Sequence, residues 1–279
     1  MTDSAPEHQN ARLAVLIDAD NTSASSAGAL LEELARYGIP TVKRAYGDWT
    51  TQQLVGWKAE LPRHAIQPIQ QFANTVGKNS TDSALIIDAM DLLYSGNLDA
   101  FAIVSSDSDF TRLATRLRES GKTVYGLGRR RTPTALQNAC DRFIFLEVLA
   151  RGGAEEPADA GGTADAPPLP DLRRLLTSAV ESISQDDGWV MLSALGSYLT
   201  KTNASFDPRN YGHPKLSALA RAQTYLEIGQ AEGGTSLRVR LKPAAPAKEA
   251  AKATGRRTAK KTQKAPAKKS TTKKTAKRK

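Results

Sequence analysis

The chain has a single cysteine, Cys140, and three scattered histidines, His8, His64 and His213. One cysteine excludes an internal disulfide framework and a cysteine-rich zinc site. Three dispersed histidines argue against a multi-histidine metal centre. Long apolar runs are also missing, and none approaches the ~20 residues of a membrane span. Residues 1–11 are polar and lack the apolar core of a signal peptide. These absences predict a soluble, intracellular (cytoplasmic) protein with no membrane partner.

What is present is unevenly placed. Net charge is +10, yet 14 of the 39 Lys and Arg fall in Pro243–Lys279, where Glu249 is the one acid. Residues 1–242 keep 25 basic and 28 acidic side chains, so this part is near −3 and the tail near +13. The tail is Ala, Lys, Thr and Pro without an aromatic residue, a composition that cannot bury enough surface to fold. Its spaced cations suit salt-sensitive, sequence-blind contact with nucleic acid through counterion release. A solubilising tail is the bland alternative. Nothing in the tail separates DNA from RNA.

Between the ends, strand-like and helix-like stretches alternate. Arg12–Ile17 is an apolar run of strand length, and Ala27, Leu30, Leu31 and Leu34 follow at helical spacing. Strands are also predicted at 40–45, 64–69, 98–104, 122–127 and 142–146, with helices at 51–61, 82–94, 109–119 and 134–140. This alternation predicts an α/β domain with a mainly parallel central sheet and helices on both faces. Residues 151–170 turn rich in Gly, Ala and Pro and read as a flexible linker. From 171 to 242 a core pattern returns. Leu172, Leu175, Leu176, Ala179 and Val180 make a first helix, 188–192 leads into a second with Leu195 and Leu199, Leu216 and Leu219 mark a third, and 225–228 and 237–241 could pair as the strands of a wing.

The chemistry concentrates where strands are expected to end. Ala100–Val104 stops at Ser105-Ser106-Asp107-Ser108-Asp109-Phe110, and Arg12–Ile17 stops at Asp18-Ala19-Asp20-Asn21. In open α/β sheets, ligands bind at such edges. Ser108 or Asp109 could simply cap the next helix. A pair of acids with similar acids elsewhere favours a hard cation. On the helix at 82–94, Leu85, Ile86, Ala89, Met90 and Leu93 share one arc, with Asp82 in its middle, Asp88 at its edge and Asp91 opposite. An acid in an apolar arc is costly unless paired or on a metal, although a place in the first turn could also keep Asp82 wet. Crowded carboxylates repel unless a cation compensates, and Mg²⁺ or Mn²⁺ suits all-oxygen donors. Such ions serve phosphodiester hydrolysis. Asn21 could hold the attacking water or a phosphate oxygen. Lys78 could take a phosphate, or be an ordinary exposed lysine.

Asp18-Ala-Asp-Asn21, Tyr46-Gly-Asp-Trp49, Lys78-Asn-Ser-Thr-Asp82 with Asp88, and Ser105-Ser-Asp107-Ser-Asp109-Phe110 together resemble the NYN domain, the LabA-like branch of the PIN-like nuclease superfamily. The resemblance covers roughly residues 11–148. It implies a PIN-like parallel sheet and a divalent-metal ribonuclease centre. Asp18, Asn21, Asp82, Asp88, Asp107 and Asp109 carry over by position, with Asp20 ranked below Asp18 because the family varies there. Gly188-Trp189-Val190, Leu195-Gly196 and Phe206-Asp-Pro-Arg-Asn-Tyr-Gly212 resemble the LOTUS domain, also called OST-HTH, a winged-helix module implicated in RNA binding. Arg209, Tyr211, His213 and Lys215 are its candidate RNA contacts, while Tyr211 and Gly212 could equally shape the turn. Trp189 reads as core rather than as a stacking platform. Winged helices also bind protein, which leaves protein partners open.

The expected organisation is a disordered N-terminus at 1–10, a nuclease domain at 11–148, a linker at 149–169, a winged helix at 170–242 and a disordered tail at 243–279. The expected activity is a metal-dependent endoribonuclease. Asp18, Asp82, Asp88, Asp107 and Asp109 would be metal ligands, and Asn21 would stand among the catalytic residues. A non-catalytic RNA-binding adaptor is the alternative. A nucleotide-sugar transferase or phosphatase built on Asp-x-Asp is a weaker third reading, since that motif alone is a poor signal.

Overall fold

The computed structural model describes residues 10–72, 80–150, 168–184, 186–230 and 234–242. Lys78, most of the expected linker and the whole basic tail lie outside the described residues.

Strand β1 (Arg12–Asp18) is buried from Leu13 to Asp18. Its odd-numbered side chains, Leu13, Val15 and Ile17, enter one apolar layer, and Ala14 and Leu16 enter the other. Strand β4 (Ala100–Val104) divides in the same way, with Ala100, Ala102 and Val104 on one side and Phe101 and Ile103 on the other. Successive strand side chains point to opposite faces. A run that is apolar throughout therefore requires cover on both sides, as parallel sheets have. Helices α1 (Ala27–Leu34) and α2 (Trp57–Arg63) cover the first face through Leu30, Leu34, Trp57 and Leu61. Helices α3 (Ser80–Tyr94), α4 (Thr111–Glu119) and α5 (Thr134–Ala139) cover the second through Leu85, Ala89, Leu113, Leu117 and Leu136.

The sheet also contains β2 (Ile39–Gly47), β3 (Gln67–Gln70), β5 (Thr123–Gly128) and β6 (Arg142–Phe145). Its order is β3-β2-β1-β4-β5-β6, and every pairing is parallel. The chain winds outward from β1 to β3. It then returns through α3 to lay β4 against the other side of β1. That reversal opens a crevice at the carboxyl ends of β1 and β4, the place where open α/β sheets take ligands. Dinucleotide-binding folds share this strand order, but with a glycine-rich turn after β1. Here the turn is Asp18-Ala19-Asp20-Asn21. A short helix α6 (Leu146–Ala150), not anticipated from the sequence, follows β6.

Residues 168–242 build a second core from α7 (Leu172–Ile183), β7 (Val190–Met191), α8 (Leu192–Thr202), α9 (Leu216–Arg221), β8 (Leu226–Gln230) and β9 (Leu237–Leu241). The strands form an antiparallel sheet in the order β7-β9-β8, so the expected two-stranded wing has a short third strand. Asp171 caps α7 by accepting the Arg174 N–H at 2.7 Å. Gly212 closes the Pro208–Tyr211 turn with φ +82°, a conformation that favours glycine. No helix among the described residues is long and apolar enough to cross a membrane.

The two cores meet at an ion network. The Arg209 guanidinium grips Glu33 of α1 through two hydrogen bonds of 2.9 and 2.7 Å. It also bonds Asp207 through Nε at 3.0 Å and Nη2 at 2.7 Å. Arg142 of β6 reaches Asp207 at 3.4 Å, and the Tyr37 hydroxyl donates to Glu33 at 3.0 Å. Beside them the Phe143 N–H on edge strand β6 bonds the Ala204 carbonyl at 2.8 Å. Glu33 is 3% exposed and Asp207 5%. Burial opposes their ionisation, yet the arginines hold both carboxyls below their usual range.

Candidate metal centre

The fold brings the carboxylates of Asp82, Asp107 and Asp109 together, one oxygen of each within 4.8 Å of the others. Asp82 lies in the first turn of α3, and Asp107 and Asp109 follow β4. Asp107 is also the helix cap, accepting the Asp109 N–H at 2.9 Å. The capping task expected of Ser108 or Asp109 thus falls to a residue that faces the acid group as well.

Asp18 closes the neighbouring strand and is 1% exposed. Its Oδ2 accepts from Asn21 Nδ2 at 2.8 Å and from the Ser105 hydroxyl at 2.7 Å. Its Oδ1 is buried without a hydrogen-bond partner among the described residues. Burial pushes the Asp18 carboxyl up, more strongly than those hydrogen bonds pull it down. Asp82 is pushed up to about 6, chiefly by burial and then by the charges of Asp18, Asp107, Asp109 and Asp20. The group is a concentration of negative charge among hard oxygen donors. An orphaned buried oxygen beside it fits Mg²⁺ or Mn²⁺.

Asn21 stands beside Asp18 and orients it through that hydrogen bond. Asp20 accepts from Thr81 at 3.1 Å and stays near the group. A Cβ on Gly47 would stand 3.2 Å from Asp20 Oδ1 and 2.5 Å from Leu54, which accounts for the glycine after Tyr46. Asp88 is not brought to the group. Its two oxygens are taken by Arg44 and the Tyr46 hydroxyl, both from β2. Sequence alone gives Ser105 no role. In the fold its hydroxyl donates to Asp18 and accepts the Asp107 N–H at 3.1 Å, so it ties the two strand ends together.

The RNA-contact candidates separate. Arg209 is spent on the ion network. Tyr211 is half-buried, its hydroxyl donates to the Pro170 carbonyl at 3.1 Å, and its ring lies against Phe206, all of which shape the turn. His213 is half-buried and Lys215 is exposed. Trp189, expected in the core, lies on the face of the small sheet, with Gly229 against its ring and the Arg238 and Arg240 guanidiniums 4.5 and 4.6 Å from its centroid.

Comparison with known proteins agrees with this division. An uncharacterised protein of Methanocaldococcus jannaschii is 27% identical over 141 residues, covering 48% of this chain and 55% of its own length. The chain thus spans about half the length of that curated relative. A crystal structure of a Vibrio parahaemolyticus protein of unknown function matches at 17% identity and TM-score 0.43, covering 50% of this chain and 94% of its own. A Chromobacterium violaceum solution structure matches at 41% identity and TM-score 0.23, covering 25% of this chain and 79% of its own. Family models match residues 12–147 as an NYN domain and residues 167–237 as an OST-HTH/LOTUS domain. The chain therefore contains an NYN domain at residues 12–147 and an OST-HTH/LOTUS domain at residues 167–237.

Proposed function

We propose that the chain is a metal-dependent endoribonuclease that hydrolyses RNA phosphodiester bonds at the Asp82–Asp107–Asp109 group. The observation that carries this reading is the crowding of like charge there. Three carboxylates converge, and Asp18, at the end of the neighbouring strand, keeps one buried oxygen without a hydrogen-bond partner among the described residues. NYN domains belong to the PIN-like nuclease superfamily, whose members generally use divalent metals, and OST-HTH/LOTUS domains are associated with RNA binding.

Asp18, Asp82, Asp107 and Asp109 would hold Mg²⁺ or Mn²⁺. Bound there, the ion supplies positive charge against the phosphate and makes water a stronger acid. The protein's own part is to fix the acids. Asn21 and Ser105 orient Asp18, and the Asp107 cap sets the start of the Ser108–Phe110 turn. The OST-HTH/LOTUS domain and the basic tail would retain the substrate. Tethered contacts raise each other's effective concentration.

The test is cleavage of labelled single-stranded and structured RNAs, with matched DNAs, in Mg²⁺, Mn²⁺ or EDTA. Wild type should cut RNA only with metal. Asp107→Asn should keep RNA binding and lose cutting. Equal cutting by the variant would remove the metal-centre reading. Binding without cutting in every metal would leave an RNA-binding adaptor.

A further inference from the structure

Strand β5 lies beside β4 with Leu127 opposite Val104, so the loop after β5 opens on the same edge as the acids. Gly128 ends the strand, and the loop begins Arg129-Arg130-Arg131-Thr132. A Cβ on Gly128 would stand 2.7 Å from both the Ser105 carbonyl and Thr132 Oγ1, so the chain presses against the β4 end. The Arg129 N–H donates to Ser106 Oγ at 2.8 Å, next to Asp107. Thr132, buried, closes the turn by donating to the Arg129 carbonyl through N–H at 2.9 Å and hydroxyl at 2.6 Å. The Arg130 N–H donates to Glu147 at 2.9 Å. Backbone groups and a buried threonine therefore set the turn. None of the three guanidiniums makes a hydrogen bond or ion pair with the described residues.

Three consecutive guanidiniums without carboxylate partners among the described residues are self-repelling. They stand one strand over from a group of crowded carboxylates, and the turn's own geometry does not depend on their charge. A polyanion that brings phosphate to this edge would give the arginines the partner they lack. The planar fork of arginine matches phosphate oxygens in pairs. The Arg130 charge also acts on Tyr211 of the second domain, where it opposes the upward push of burial on the hydroxyl.

We propose that Arg129, Arg130 and Arg131 form a phosphate clamp that holds the RNA strand as it leaves the acid group toward the OST-HTH/LOTUS domain. This deepens the ribonuclease reading and rests on it for the identity of the polyanion.

The test uses the full chain and a short single-stranded RNA carrying 4-thiouridine. Irradiation of wild type should cross-link the peptide that contains residues 128–133. Replacing all three arginines by Gln should abolish that cross-link and reduce the slope of log Kd against log salt by about 2, close to 0.7 for every phosphate no longer neutralised. It should raise KM with kcat little changed, and leave the Mg²⁺-induced rise in Tm intact. Arg131→Gln alone, at an exposed position, should lower the slope by about 0.7 and guards against misfolding of the triple variant. Lys at the three positions should restore most of the slope. A wild type that binds but never cuts, yet cross-links at the turn, would sink the nuclease reading and keep the clamp. Cutting without a cross-link at the turn, and with an unchanged salt slope, would overturn the clamp alone. A chain that binds no RNA overturns both.

Discussion

Among the described residues, the fold treats two pairs of buried or half-buried acids in opposite ways. At the junction of the two cores, Glu33 and Asp207 are surrounded by Arg209, Arg142 and Tyr37, and their carboxyls are held below the usual range. At the end of β1 and the start of α3, Asp18 and Asp82 are pushed up, first by burial and then by neighbouring carboxylates. The first set is complete as folded, because each charge is desolvated and then paired. The second is unfinished as folded. Glu33 and Asp207 face arginines, whereas Asp82 faces Asp107 and Asp109, and Asp18 keeps one oxygen unbonded among the described residues; on the proposed reading this second pair is where a cation binds. That contrast, more than the number of acids, separates a structural site from a functional one.

The junction predicts the largest effect. Arg209→Ala leaves Glu33 and Asp207 buried with far less compensation, and removal of one partner from a buried pair costs about 3 kcal/mol or more. Denaturant unfolding of the full chain should report that loss, or break into two transitions as the cores uncouple. The pH dependence has a definite sign. Both acids have folded pKa values below their unfolded values. Their contribution is therefore present above the unfolded values and is lost as pH falls through the depressed ones. The stability gap between wild type and Arg209→Ala should narrow as pH falls from the ordinary carboxylate range, about 4, to below it. An equal gap at both ends would mean that packing, not charge, joins the cores.

At the acid group the same kind of change should act in the other direction. Asp82→Asn removes one of three converging charges, so the metal-free chain should gain stability, by about 1 kcal/mol for charges some 4 Å apart in a wet environment. The same variant should lose the Tm rise that Mg²⁺ or Mn²⁺ gives the wild type, because a ligand stabilises only the state that binds it. Loss of stability in EDTA would place Asp82 with the structural acids and collapse the contrast.

Much of this was readable in the sequence, for reasons that differ between residues. β1 and β4 were legible because a parallel sheet buries both faces and leaves apolar runs that stop sharply at Asp18 and Asp107. The helical wheel put Asp82 on the buried arc and Asp91 in solvent, and the fold agrees: Asp82 is half-buried and Asp91 exposed. Pairing between distant segments was not legible. Arg209 looks like a free cation in an exposed turn until Glu33, 176 positions away, is placed against it. The arginine turn carries no local motif, and its nearness to the acids follows only from β4 lying beside β5. Ser105 stood in plain view as a small hydroxyl residue at a strand end. Its role depends on which strand lies alongside.

Asp88 is the most delicate case, because the wheel put it at the edge of the apolar arc and resemblance assigned it to the metal. In the fold its carboxylate faces β2, where Arg44 and Tyr46 take both oxygens. It belongs with the paired acids, although less deeply buried than Glu33. Asp88→Asn keeps an acceptor for the Tyr46 hydroxyl and removes only the charge opposite Arg44. The loss should be about 0.5 kcal/mol, in the range of partly exposed ion pairs. The Mg²⁺-induced rise in Tm and the metal-dependent cutting of RNA should persist. If metal stabilisation disappears in this variant as it does in Asp82→Asn, the line between paired and reserved acids has been drawn one residue too early, and α3 offers the ion a ligand about 1.7 turns beyond Asp82.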